Sequence, residues 1–166
     1  VFIHLLHGNT QEVIERGASE PVLRDVQLAR WLAEPCKDPI ALEKWYVKHF
    51  GFQRVRVVPL GKEQIVFLKS GSFYLEVFQA KGENPEPPHT GAGPDYSSWR
   101  HLAFAVEDVD AKIREMGKDA RVTAGPMSFD DFIPGWRGAW IADPEGHIVE
   151  LAQGYKDDPN PPACPS

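Results

Sequence analysis

One histidine and two glutamates lie on apolar, strand-like segments where their side chains could act together. His101 begins the strand-like part of SWRHLAFAV, Glu76 lies in YLEVFQA and Glu150 lies in IVELAQG. A carboxylate on an apolar strand loses hydration, which is unfavourable unless the group is paired, protonated or bound to a cation. Imidazole nitrogens and carboxylate oxygens also bind divalent ions such as Zn, Ni, Mn, Co and Fe. These residue types therefore predict a metal site or an acid–base site.

The alternation of side chains along a strand predicts that the three groups share one kind of surface. In HLAFAV the bulky residues Leu102, Phe104 and Val106 point to one face, towards the helices. His101, with two alanines, points to the other face, and the same alternation places Glu76 and Glu150 away from the helices. A histidine followed by small residues leaves space above the sheet, as the floor of a pocket requires.

The two halves of the chain match each other in register. RWLAEPCKD (30–38) and RHLAFAVED (100–108) share Arg, Leu, Ala and Asp at an offset of 70 residues. YLEVFQA and IVELAQG share Glu and Gln at an offset of 74 residues. Similar offsets at both ends of each half predict a duplicated module.

Each half has the element order β-α-β-β-β. In CKDPIALEKWYVKHFGF, Asp38 is placed to cap a helix whose first turn contains Pro39. In the first half, the strands that follow this helix are predicted over 52–58, 64–69 and 72–79. In the second half, strands are predicted over 99–106, near 121–124, over 139–142 and over 147–153, with a helix over 108–116. The predicted organisation is an N-terminal extension (1–27), a first module (28–80), a linker (81–97), a second module (98–154) and a Pro-rich tail (155–166) expected to be disordered.

The segment AEPC and the residue His147 do not follow the predicted strand pattern simply. Glu34 in AEPC points towards the helix side, and Pro35 cannot donate a hydrogen bond within a sheet, so the first strand is an edge strand, bulged or shifted. His147 lies three residues before Glu150 and faces the helix side, which makes it a poor candidate for any metal role.

Over about residues 28–154 the sequence resembles the vicinal oxygen chelate superfamily, the glyoxalase, bleomycin-resistance and extradiol dioxygenase group. The resemblance rests on the paired modules and on CKDPIALEKWYVKHFGF, RHLAFAVEDVDA and DPEGHIVELAQ. It implies an α+β fold in which two tandem βαβββ modules form a curved mixed sheet around one cavity. By position it implies His101, Glu76 and Glu150 as metal ligands, and it places Trp31, which cannot bind a metal, at the fourth ligand position.

The activity that the resemblance implies is that of a lyase or isomerase dependent on a divalent metal (Zn, Ni, Mn, Co or Fe). Such an enzyme acts on a small carbonyl compound through an enediolate-type intermediate, with Glu150 or Glu76 as the catalytic base. An extradiol dioxygenase is disfavoured because the pocket offers one histidine only.

Two alternatives without a metal stay open. One is a binding or sequestration protein of the bleomycin-resistance type, and the other is a metal-independent isomerase that uses the same cavity. In each case the residues expected to contact the ligand are aromatic or cationic: Trp31, Phe129, Phe132, Trp136 and Arg137.

Charge and hydropathy exclude other classes of partner. The chain has 18 Lys and Arg against 24 Asp and Glu, a net charge of -6, and the charges are interspersed, so we expect no nucleic-acid binding. No apolar run approaches the roughly 20 residues of a membrane span. With only two cysteines and no recognisable leader, we expect a cytoplasmic protein with a small-molecule substrate. A homodimer is compatible with the family resemblance.

Overall fold

The computed structural model describes residues 30–83, 90–92, 97 and 99–164. The predicted N-terminal extension (1–27) and most of the predicted linker lie outside these residues. The elements in chain order are β1 (Trp31–Cys36), α1 (Pro39–Phe50), β2 (Gln53–Leu60), β3 (Glu63–Ser70), β4 (Phe73–Gln79), β5 (His101–Ala105), α2 (Val109–Met116), β6 (Arg121–Ser128), β7 (Arg137–Ala142) and β8 (Ile148–Gln153), with a 3-10 turn at Gly117–Asp119.

Helix α1 begins and ends where its sequence predicts. The Asp38 side chain accepts a hydrogen bond from the Ala41 backbone N–H at 3.0 Å, and Pro39 occupies the first turn, where its missing N–H costs nothing. The helix ends at Gly51, whose φ of 65° is the left-handed conformation that glycine adopts without strain. Because these signals are local, they position the helix independently of the rest of the fold.

The two modules repeat each other in strand order and in register. Their sheets have the orders β1-β4-β3-β2 and β5-β8-β7-β6. In the first parallel pair Ala33 lies opposite Glu76, and in the second Ala103 lies opposite Glu150. The predicted repeat and the α+β fold of paired βαβββ modules are confirmed.

One hydrophobic core joins the modules through their helix-bearing faces. The rings of Phe50 on α1 and Phe104 on β5 stack at a centroid distance of 4.0 Å, and Leu75 and Leu151 are fully buried in the same cluster. The opposite face of each sheet remains outside this core. We call these two surfaces the first open face and the second open face.

The structure settles the ambiguity in the first strand. Among the residues that the structure describes, strand β1 pairs with β4 alone and so lies at the edge of its sheet, and its register runs from Trp31 to Cys36 without a bulge. An edge position leaves the missing N–H of Pro35 without consequence for the sheet. Glu34 is buried on the helix side, as the alternation predicts.

Within the described part of the chain, none of the helices has the length and apolarity needed to cross a membrane.

Candidate active site

The second open face brings together two of the three predicted polar groups. His101 Nε2 and Glu150 Oε2 are 2.8 Å apart, and both side chains are mostly buried. The pair forms because β5 and β8 are parallel neighbours, with His101 two residues before the Ala103 that faces Glu150. Such a pair can donate or accept a proton, or offer one nitrogen and one oxygen to a cation.

A cavity of about 480 Å³ opens beside this pair. Its lining contains small residues from β5 and β8, the Glu150 side chain and two rings from outside these strands: Ala103, Ala105, Val106, Trp136, Glu150, Ala152, Gly154 and Tyr155. A Cβ at Gly138 would lie 3.5 Å from Glu150 Oε1 and 3.3 Å from the Phe129 ring. The small residues predicted for the pocket floor therefore make the space that a ligand of modest size needs.

Three buried nitrogens beside this cavity have no hydrogen-bond partner among the described residues. They are His101 Nδ1, Trp136 Nε1 and Trp140 Nε1. Trp140 lies opposite Glu150 in the register of β7 and β8, and Trp136 lines the cavity. A buried donor without an acceptor is unfavourable, so a ligand or water that brings oxygen atoms would stabilise this region.

The first open face is aromatic and carries the third predicted group. The Trp31 ring contacts the Phe67 and Tyr74 rings edge-on at centroid distances of 6.4 and 6.3 Å and is 56% exposed. Glu76 lies between Ala33 and Phe67 in the sheet, and burial raises the pKa of its carboxyl group. Within the described residues, Glu76 does not join His101 and Glu150 at coordinating distance.

The segment 127–138, which is rich in aromatic residues, places some of its side chains at the cavity and others away from it. Phe129 and Trp136 pack at 4.6 Å, and Trp136 also contacts Tyr155, which keeps these rings at the cavity rim. Phe132 is 78% exposed and is not among the residues that line the cavity. Arg137 lies on the helix side, where its guanidinium nitrogens contact Asp110 Oδ2 at 3.1 and 2.9 Å.

A second polar cluster, which the sequence did not predict, lies at the junction of the modules. Its members are Glu34 on β1 and Asp143 and His147 in the turn between β7 and β8. His147 Nδ1 lies 2.6 Å from Glu34 Oε1 and 3.4 Å from Asp143 Oδ2. We call this group the junction cluster. Two sequence features could have indicated the cluster: a glutamate, Glu34, at a buried strand position, and the turn sequence DPEGH. Whether Glu34 lies near this turn depends on how the modules pack.

The electrostatics of the junction cluster follow from its burial. Burial raises the pKa of Glu34, whereas Asp143 and Glu34 raise the pKa of His147 to about 10. Burial also raises the pKa of the neighbouring Tyr46 hydroxyl, which donates to Asp143 Oδ2 at 3.4 Å. In the absence of a bound cation, His147 is therefore an imidazolium between two acidic groups at neutral pH.

Comparison with known proteins supports the same fold. Of the curated relatives, the "Uncharacterized protein YwkD" of Bacillus subtilis (strain 168) is 27% identical over 119 residues, which is 70% of this chain and 88% of that protein. A solved glyoxalase family protein from Enterococcus faecalis is 27% identical with a TM-score of 0.55, covering 76% of this chain and 96% of that chain.

Two more distant structures share the fold. Glyoxalase I of Leishmania major, described as trypanothione-dependent, is 21% identical with a TM-score of 0.57, covering 78% of this chain and 88% of its own. TnmS3, an antibiotic binding protein from Streptomyces sp. CB03234, is 22% identical with a TM-score of 0.53, covering 79% of this chain and 98% of its own. Residues 31–151 match the family described as Glyoxalase/Bleomycin resistance protein/Dioxygenase superfamily, and the chain belongs to that superfamily.

Proposed function

We propose that this protein is a glyoxalase-like lyase or isomerase that moves a proton next to the carbonyl group of a small substrate bound on the second open face. The observation that carries the proposal is the contact of His101 Nε2 with Glu150 Oε2 at 2.8 Å beside a cavity of about 480 Å³. A positioned carboxylate and imidazole are the usual agents of such a proton transfer.

The two groups have distinct roles in this proposal. Glu150 accepts the proton from the substrate carbon, and its partial burial places the carboxylate where water competes weakly. His101 holds the carboxylate in position through Nε2 and exchanges a proton with it. The buried nitrogens of Trp136 and Trp140 are donors that the oxygen atoms of a hydroxycarbonyl substrate would satisfy.

A divalent metal of the kind found in this superfamily requires more ligands than this face supplies. His101 and Glu150 fit such an ion, but catalytic metal sites of the zinc type use three protein ligands. Both open faces are outside the shared core, so a second copy of the chain that packs its first open face over this cavity would bring Glu76 as the third ligand. A metal bound there would act as a Lewis acid on the substrate oxygen.

A second candidate function is metal-free binding of an aromatic small molecule. The observation that favours it is the group of rings on the first open face, where the exposed Trp31 offers a flat apolar surface beside Phe67 and Tyr74. The likeness to TnmS3 supports this reading at the level of the fold. A metal-independent isomerase built on His101 and Glu150 lies between the two candidates.

The experiment is deuterium exchange at the carbon next to the carbonyl of hydroxyacetone, dihydroxyacetone and related hydroxycarbonyl compounds, followed by proton NMR in D₂O. The protein is purified without an affinity tag and measured with and without added Zn²⁺, Ni²⁺, Mn²⁺, Co²⁺ or Fe²⁺. Elemental mass spectrometry and light scattering on the same samples give the metal content and the oligomeric state.

Enzyme-dependent exchange that Glu150→Gln removes would support the proposal. Glu115→Gln on the exposed side of α2 is a matched control, because Glu115 contacts Lys112 and lies far from the cavity lining. Metal-dependent exchange by a dimer would favour the metal-assisted form. Absence of exchange in every condition, together with tight binding of aromatic compounds, would favour the binding function instead.

A further inference from the structure

The junction cluster is the one group of described residues in which three metal-ligating side chains meet. Their ligand atoms all lie within 4.8 Å of one another, and they come from both modules. The cluster lies on the helix-bearing side of the sheets, so it is separate from His101 and Glu150 on the second open face. The proposed function uses none of its residues.

The surroundings of Asp143 orient one oxygen towards the other two side chains. Asp143 is fully buried, and its Oδ1 accepts hydrogen bonds from the backbone N–H groups of Glu145 and His147, both at 2.9 Å. Oδ2 is left to face His147 and the hydroxyl of Tyr46. Carboxylates that bind metals are typically held in this way by hydrogen bonds to neighbouring groups.

Glu34 supplies a separate sign that the cluster is incomplete. The residue is 8% exposed, and its Oε2 has no hydrogen-bond partner among the described residues. In the second module the equivalent strand position holds Phe104, which packs in the core. A carboxylate in place of a core aromatic, with one oxygen unsatisfied, is unfavourable unless something else binds it.

We propose that Glu34, Asp143 and His147 form a binding site for one divalent first-row transition ion of the zinc type, which ties the two modules together. One nitrogen and two carboxylate oxygens are a common ligand set for such ions, whereas Mg²⁺ and Ca²⁺ prefer oxygen ligands alone. The His147 side chain is 47% exposed, so the ion has a route from solvent.

The distances are compatible with this ion after a small adjustment. Ligand atoms about 2.0–2.2 Å from a tetrahedral ion lie roughly 3.3–3.6 Å from one another. The separation of His147 Nδ1 from Asp143 Oδ2, 3.4 Å, already meets this requirement. The shorter contact of 2.6 Å with Glu34 Oε1 has to lengthen by less than about 1 Å, which the flexible Glu34 side chain allows.

The position of the site predicts a structural role. Glu145, in the same turn, accepts hydrogen bonds from the backbone N–H groups of Lys37 and Asp38 at 2.7 and 2.9 Å, which fixes the turn against the start of α1. An ion at the junction cluster would add a second link between β1 and this turn. Its binding would stabilise the folded chain by mass action, without any direct contact with the cavity.

The test uses the untagged chain, freed of metal with a chelator and then titrated with Zn²⁺ and Co²⁺. Calorimetry gives affinity and stoichiometry for Zn²⁺, and the visible absorption of Co²⁺ reports a four-coordinate site of nitrogen and oxygen ligands. The variants are His147→Asn and Glu34→Gln, and His101→Asn reports binding on the second open face. The matched control is His49→Asn, whose imidazole pairs with Asp119 outside both sites. Titrations with Mg²⁺ and Ca²⁺ test the ion class.

The proposal predicts one Zn²⁺ per chain at the junction cluster, whose affinity falls at least tenfold in His147→Asn and Glu34→Gln and is unchanged in His49→Asn. It also predicts that Zn²⁺ raises the thermal midpoint of the wild type but not of His147→Asn. Binding that only His101→Asn abolishes would overturn it, as would no binding at all. If the variants fail to fold, the paramagnetic shifts that Co²⁺ causes in the alanine methyl signals of the wild type decide. The largest shift at Ala142, next to Asp143, supports the site, and the largest shifts at Ala103 and Ala152 contradict it.

Discussion

The two open faces share one backbone frame but carry different chemistry. In both modules a glutamate on the last strand lies opposite an alanine on the first strand and opposite an aromatic residue on the third. The difference is two residues before that alanine, where the first module has Trp31 and the second has His101. At the places of the cavity residues Ala105 and Ala152 the first module has Pro35 and Phe78. The Trp–His difference therefore decides whether the glutamate has an imidazole partner, and the smaller residues of the second module leave room for the cavity.

The largest effect that tests this comparison is on catalysis. We expect Glu150→Gln to slow deuterium exchange by about 10²–10⁴-fold, because it removes the base. Glu76→Gln keeps an oxygen ligand at the same place and should slow exchange far less. Exchange rates from proton NMR under identical conditions check both variants. Equal losses in the two variants would contradict the difference between the faces.

The two open faces differ at Trp31 and His101. Exchanging these two residue types should move the pair of imidazole and carboxylate from the second open face to the first. Trp31→His places an imidazole in the same register with Glu76 as His101 has with Glu150. We expect it to raise the Zn²⁺ affinity of the first open face about tenfold or more, because it adds an imidazole ligand beside Glu76, and groups that only orient a ligand already change metal affinity about 10–100-fold. Calorimetry on metal-free protein measures this. His101→Trp should have the opposite effect on the second open face, and Trp31→Phe serves as the control.

A smaller effect is expected from filling the space above Glu150. Gly138→Ala places a methyl group 3.3 Å from the Phe129 ring and 3.5 Å from Glu150 Oε1. Overpacking of this size costs about 1–3 kcal/mol of folding stability where neighbours cannot move. Because the methyl group also takes space beside Glu150, we expect ligand affinity in the cavity to fall about tenfold, or about 1.4 kcal/mol. Unchanged affinity, measured by NMR titration, would show that the ligand does not approach Glu150. Ala111→Ser on α2 is a control that leaves the cavity unchanged.

The smallest expected effect is the contribution of Glu76 to the pH dependence of folding stability. Burial raises the pKa of this carboxyl group above 4.5, so the folded state holds the proton to a higher pH than the unfolded chain does. Stability therefore falls as pH rises from about 4.5 through the folded pKa. Glu76→Gln should stabilise the chain at pH 7, by less than about 1 kcal/mol after solvent screening, and have no such effect at pH 4. Urea unfolding at both values measures it.

A loss of folding stability in Glu76→Gln, instead of the expected gain, would indicate a bound ion. If Glu76→Gln destabilises the chain at neutral pH in the presence of a divalent ion, Glu76 binds that ion in the native protein. The same unfolding curves in the presence of a chelator provide the comparison.

The sequence predicted those parts of the fold that depend on local rules. The cap at Asp38, the left-handed Gly51 and the alternation in HLAFAV each act within a few residues, and the offsets of 70 and 74 residues reproduce the sheet register. The contact of His101 with Glu150 follows from that register. These features needed no knowledge of how the modules pack.

The remaining parts depend on tertiary packing. The alternation places Glu34 and His147 on the helix side but does not say that the two residues meet, because they belong to different modules. Phe132 and Arg137 were expected to contact the ligand, yet only the packing shows Phe132 in solvent and Arg137 against Asp110. Spatial proximity across modules is the information that one sequence does not contain.

The proposed function requires a small carbonyl compound to bind on the second open face. Methyl NMR of alanine-labelled protein tests it directly, since Ala103, Ala105 and Ala152 line the cavity, Ala33 belongs to the first open face and Ala111 lies on α2. On titration with hydroxyacetone or dihydroxyacetone, we expect saturable shifts of the three cavity methyl signals and none at Ala111. Shifts confined to Ala33, or none at the three cavity alanines, would contradict it.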